Sequence, residues 1–184
     1  MVYVFLAEGF ELVEAMAPVD ILRRAKVEVR TVGVSGRQVA ASNGVRVEAD
    51  VELAQAQREG LSAIVLPGGL PGTVNLEQSA GVQGFIDYCA GAGILTAAIC
   101  AAPSILAHKG LLRGREATAF PNFQKDLEEG GARLSPRFVV RDGTFITARG
   151  MGVSTQFGLK LAGALTTPET AAEIQVSIQS EAKT

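Results

Sequence analysis

Three short runs of this chain are apolar at nearly every position: Val2–Ala7 (VYVFLA), Ala63–Leu66 at the head of AIVLPGG, and Ile94–Ile99 (ILTAAI). A strand with one wet face alternates polar and apolar residues. A strand apolar throughout is buried on both faces, which happens when helices cover both sides of a parallel sheet. The segments between these runs supply such helices. Glu11–Ala25 has helical periodicity, with Pro18 expected to bend it. Ser79–Gly93 reads as a helix stopped by Gly91 and Gly93, and Ala102–Gly110 as one ended by Gly110. Val153–Leu165 and Pro168–Gln179 read as two closing helices. Val27–Val34 alternates like a further strand. Asn43-Gly44 and Asp142-Gly143 each sit between extended pieces, a hairpin signal. The expected class is therefore α/β, a three-layer sandwich around a mainly parallel sheet.

Composition narrows the classes of function. The chain has 184 residues, a net charge of −2, two cysteines and one histidine. A chain of this length buries roughly 70% of its unfolded surface and needs no disulfide or metal staple. A single domain is expected over residues 1–180, with 181–184 a disordered tail. The mixed charges give no nucleic-acid groove and no membrane-surface face. The start MVYVFLAEGF lacks the basic lead and length of a signal peptide, and no apolar run is long enough to span a bilayer. A soluble, cytoplasmic protein is the expectation.

In parallel sheets of this kind ligands bind beyond the carboxyl ends of the strands. Three such ends stand out: FLAEGFE, VLPGGLPG and AAICAAP. Cys100 lies directly after a strand and directly before a helix, the placement of a nucleophile on a strained elbow. Ala98 and Ala102 leave it room, and Pro103 suits a first helical turn. A thiol there is expected to have a lowered pKa from the positive end of the helix. Local pattern leaves a second reading open, a buried and inert small side chain. Cys89, inside a helix, reads as structural.

Glu14 falls among Phe10, Ala17, Pro18 and Ile21 at helical spacing, all apolar. A desolvated carboxyl there has a raised pKa and is able to shuttle a proton. The alternative is a surface glutamate on an imperfect stripe. The turn Pro67–Gly72, with Gly68 and Gly69 at its bend, carries amides suited to a developing oxyanion, although its spacing is neither a Walker loop nor a dinucleotide fingerprint. Arg149 reads as a surface ion pair before an anion-binding group. His108, two helical turns beyond Cys100, is too far along its helix to act as base for the thiol. A Cys-His pair and a zinc site are both unexpected.

Taken together, AAICAAPSILA, VLPGGLPG, GFELVEAMAPVDILRRA and ITARGMGVSTQFGLKL resemble the ThiJ/PfpI superfamily, in its YajL-like branch, the family of the parkinsonism-associated protein deglycase. The likeness runs along nearly the whole chain in the same order. It implies a flavodoxin-like (class I glutamine amidotransferase-like) fold with a nucleophile elbow, and a homodimer. It places the family's reactive cysteine on Cys100, its acidic partner on Glu14 and its oxyanion amides on Gly69 and Ala101. The implied activity is that of a cofactor-free glyoxalase or deglycase, acting on a small dicarbonyl or a glycated amine or thiol. The alternative it implies is a redox sensor or chaperone in which Cys100 is oxidised to the sulfinic acid. Phe120 stands where peptidase-like members have a histidine, which argues against a peptidase.

Overall fold

A computed structural model describes residues 1–180; the tail expected at 181–184 lies outside the described residues. The chain opens with β1 (Val2–Leu6), α1 (Leu12–Arg24) and β2 (Val29–Gly33). A small hairpin follows, β3 (Gln38–Ala40) with β4 (Arg46–Glu48), then β5 (Val51–Glu52) and β6 (Ala63–Leu66). Helices α2 (Gly72–Gln78) and α3 (Ala80–Ala92) lead to β7 (Leu95–Ile99) and α4 (Pro103–His108). Strand β8 (Glu116–Ala117), helix α5 (Gln124–Glu129) and β9 (Arg133–Leu134) form a side excursion. The hairpin β10 (Val139–Asp142) with β11 (Phe145–Ala148) precedes α6 (Ser154–Leu165) and α7 (Pro168–Ser177).

The central sheet has seven strands in the order β10-β11-β7-β6-β1-β2-β5. Every pairing in it is parallel except β10 with β11. All five residues of β1 are buried, as their unbroken apolar character requires. Val2, Val4 and Leu6 point into one core layer, against α1, α6 and α7. Tyr3 and Phe5 point into the other, against α2, α3 and α4. The chain first builds outward from β1 to β2, then returns to β6 on the opposite side of β1. That reversal opens a crevice at the carboxyl ends of β1 and β6.

One helix stop moves, and two helices escape the sequence pattern. Helix α1 runs unbroken through Pro18 to Arg24. Helix α3 passes through Gly91 and stops only at Gly93, whose φ of 68° supplies the left-handed cap. Helices α2 and α5 carry too little periodicity to be read: α2 opens on glycine, and α5 (QKDLEE) has one apolar residue, the buried Leu127. Among the described residues no helix is long and apolar enough to cross a membrane.

Candidate active site

The first component comes from the start of α1. The Glu11 carboxylate caps the helix by accepting the Glu14 amide at 2.7 Å. Its own amide donates to the Gly68 carbonyl at 2.9 Å. This stitches α1 to the turn after β6 and points Glu14 inward, where it is 1% exposed. Glu14 Oε2 accepts the Gly68 amide at 2.9 Å, and the Met151 amide also donates to this carboxyl.

The turn after β6 approaches so closely that only glycine fits. A Cβ on Gly68 would lie 2.6 Å from both Cys100 Cβ and Glu14 Oε2. Gly69 adopts a φ of +88°, and a Cβ there would lie 2.4 Å from the Glu11 amide nitrogen.

Cys100 follows β7 with a φ of +64°, a conformation costly for a residue with a side chain. Two backbone hydrogen bonds hold it there: its amide donates to the Ala148 carbonyl, and its carbonyl accepts the Phe120 amide, each at 2.9 Å. The buried neighbours Ala98 and Ala102 leave space for the turn. The Cys100 side chain is partly exposed, whereas Cys89 is fully buried. The backbone amides of Ala101 and Gly69 act on the Cys100 sulfur in the sense that favours the thiolate, and the Glu14 carboxyl lies against it as its side-chain partner.

Gly150, after β11, closes the crevice. A methyl placed on it would stand 3.9 Å from Cys100 Sγ, 3.9 Å from Glu14 Oε1 and 3.5 Å from the Phe120 ring. Nucleophile, carboxyl and aromatic ring therefore converge on one small volume, at the ends of four strands or their connections.

The electrostatics correct one expectation. Burial pushes the Glu14 carboxyl up to about 7, opposed by its hydrogen bond with Cys100. Burial also pushes the Cys100 thiol up to about 12, aided by the charge of Glu14 and its hydrogen bond. The amides of Ala101 and Gly69 act in the opposite sense without prevailing. The lowering expected from the helix start does not prevail, because burial and the neighbouring Glu14 carboxylate act directly on the thiol. Between about 7 and about 12 the two side chains together hold one proton and titrate as a unit.

The other sequence candidates separate. Gly68, grouped with the oxyanion donors, instead commits its amide to Glu14. Gly69 and Ala101 do face the sulfur. His108 Nδ1 contacts Glu77 Oε1 at 2.6 Å on the surface. Arg149 makes no ion pair with a carboxylate among the described residues. It reaches Thr118 Oγ1 at 3.2 Å and the Ser135 carbonyl at 3.4 Å, and lies over the Phe138 ring at 4.6 Å. Met151 and Gly150 were not anticipated as parts of the site; their only signal was the glycine-spaced stretch RGMG at a strand end.

Residues 1–164 match the DJ-1/PfpI family. The chain belongs to the DJ-1/PfpI family. It is 36% identical to Protein dj-1beta of Drosophila melanogaster over 172 residues, covering 93% of this chain and 92% of that one. It is 35% identical to the Parkinson disease protein 7 homolog of Danio rerio over 178 residues, covering 95% and 94%. The crystal structure of Drosophila melanogaster DJ-1beta superposes with a TM-score of 0.93 at 34% identity, over 98% of each chain. The structure titled Toxoplasma gondii DJ-1, oxidized, gives 0.92 at 32% identity, over 97% of each. The flavodoxin-like fold of this DJ-1/PfpI protein follows from both.

Proposed function

We propose that this DJ-1/PfpI protein is a cysteine-dependent glyoxalase or deglycase, acting on methylglyoxal or on its adducts with amines and thiols. The observation that carries this reading is geometric: a partly exposed sulfur and a carboxyl that is 1% exposed converge on the same small volume beside Gly68 and Gly150. A nucleophile and a proton carrier are in contact before substrate arrives.

The sulfur adds to the aldehyde carbon, forming the S–C bond as the C=O π pair moves to oxygen. Glu14 takes the thiol proton as the S–C bond forms and delivers it to that oxygen, which gives a hemithioacetal and leaves Glu14 as the carboxylate. The amides of Gly69 and Ala101, which rest against the sulfur, are the donors nearest the developing oxyanion. Glu14 then removes the proton from the former aldehyde carbon and returns it to the adjacent carbonyl carbon, while the hemithioacetal hydroxyl proton passes to the oxygen on that adjacent carbon. The product is a thioester of a 2-hydroxy acid, and water cleaves it to lactate and free thiol. Net, methylglyoxal and water give lactate, with no external oxidant or reductant. From a hemiaminal, the sulfur displaces the amine, which leaves with a proton, and the later steps are the same. Lactate production from methylglyoxal tests the reading. Cys100→Ser and Glu14→Gln are each expected to lose at least about 100-fold in kcat/KM, the scale of a missing nucleophile or general base. Full activity in Cys100→Ser would overturn it.

A second reading is favoured by the different exposure of the two thiols. Cys100 is partly open and Cys89 is 0% exposed, so peroxide would oxidise Cys100 selectively. Each peroxide gives one oxygen to sulfur and leaves as water, through the sulfenic to the sulfinic acid. The same crevice would then serve as a redox sensor.

A further inference from the structure

The chemistry proposed above uses only the polar corner of the crevice. Next to it is a cavity of about 600 Å³ whose walls include Phe120, Pro121, Phe138, Met151 and Val153. Gly150 belongs both to this cavity and to the contact point of sulfur, carboxyl and Phe120 ring. The cavity therefore begins where a bound aldehyde carbon would sit. Phe120 is 42% exposed, Phe138 51% and Met151 53%, so three large apolar side chains face solvent around a reactive sulfur instead of joining the core. Exposed apolar surface gathered at one place marks a binding site. The one charged wall is Arg149. Its bonds to Thr118 and Ser135 and its position over Phe138 hold it as a rigid side of the cavity.

Methylglyoxal is a poor match for this space. Its only substituent is a methyl group, which leaves the apolar walls against water. Pockets of roughly 300–1,000 Å³ with such walls bury much larger ligands. We propose that the preferred substrates are 2-oxoaldehydes with an aromatic or branched apolar substituent, which packs against Phe120, Phe138 and Met151 while the aldehyde meets Cys100. Phe120 is the specificity residue, because its ring borders both the sulfur and the cavity. The inference rests on the dicarbonyl reading of the site.

The test compares phenylglyoxal turnover to mandelate with methylglyoxal turnover to lactate. The native protein is expected to favour phenylglyoxal in kcat/KM by at least about tenfold, the lower end of what one apolar group is worth in such a pocket. Gly152→Phe fills the cavity from its rim, where an added Cβ meets nothing within 4 Å, and is expected to erase the preference. Phe120→Ala is expected to reduce it. A readout independent of turnover is protection of Cys100 from iodoacetamide by unreactive ketones. Acetophenone is expected to protect and acetone at equal concentration not to, and Gly152→Phe is expected to abolish the protection. Equal use of the two dicarbonyls, or absence of acetophenone protection, overturns the inference and leaves the proposed reaction standing. Protection without turnover of either dicarbonyl retains the apolar subsite and removes the proposed reaction.

Discussion

Glu14 makes the fold less stable as the pH rises, and the size of the effect follows from its burial. In the unfolded chain its carboxyl loses its proton near 4.5; in the folded protein it does so at about 7. Between these values the folded state binds more protons than the unfolded one, so raising the pH favours unfolding. The stability associated with the protonated acid is complete below 4.5, declines through the window and is lost above about 7. At ~1.4 kcal/mol per pH unit, the interval corresponds to about 3 kcal/mol. Glutamine has the shape of the protonated acid and keeps an oxygen for the Gly68 amide, now at 2.9 Å, but it cannot ionise. Glu14→Gln is therefore expected to match the native protein at pH 4.5–5 and to exceed it at pH 8. For a chain of this size about 3 kcal/mol is an upper bound of roughly 6–12 °C in Tm. Thermal melts of both proteins at pH 5 and pH 8 check this. A difference in Tm that does not change with pH, or a variant that falls behind at pH 8, would refute the account of Glu14 as a desolvated acid. The expected gain in stability accompanies a loss of turnover, as when a site is kept ionisable at the expense of the fold.

Gly68→Ala is expected to damage both fold and site. The added carbon would lie 2.6 Å from Cys100 Cβ and from Glu14 Oε2 and 2.9 Å from the Ile99 carbonyl oxygen, so its neighbours must move by about 1 Å to reach ordinary contact distances. Overpacking of that kind costs about 1–3 kcal/mol, and a misplacement of ~1 Å costs on the order of 100-fold in turnover. An unchanged Tm with unchanged activity would show that the turn is not tightly packed. Mild peroxide followed by mass spectrometry is expected to place two oxygens on Cys100 and none on Cys89, which is 0% exposed; equal oxidation of the two would remove the redox reading.

Much of the fold is legible in the sequence because burial leaves a pattern. An unbroken apolar run such as Val2–Leu6 has few alternatives to a strand covered on both faces, and the observed sheet places its residues alternately into the two core layers. The hairpins at Asn43-Gly44 and Asp142-Gly143 were equally plain, and both form. What escaped detection has local chemistry that suits several structures. The polar helix α5 and the two-residue strands β8 and β9 depend on partners far along the chain. The direction of the thiol shift escaped for the same reason. A helix start can be seen in the sequence, whereas a carboxylate brought against the sulfur from 86 positions away cannot.

The two site residues that pattern alone singled out are those that break a local rule. Glu14 puts a carboxyl on an apolar stripe, and it is buried there at 1% exposure. Cys100 puts a side chain at a joint that requires a positive φ, and it adopts +64°. Each violation costs free energy that neighbouring contacts must offset, so each marks a place where the fold serves something besides stability. Gly68, Phe120 and Met151 break no rule of their own. A glycine in a turn, or a phenylalanine before a proline, is ordinary by itself. Their roles arise only when the turn after β6, the segment after β7 and the segment after β11 meet around one sulfur. A sequence can therefore point to the proposed reacting groups of such a site while leaving silent the residues proposed to select its substrate. For this chain the decisive measurements on substrate choice are those on the Phe120–Phe138–Met151 wall, not further substitutions of Cys100.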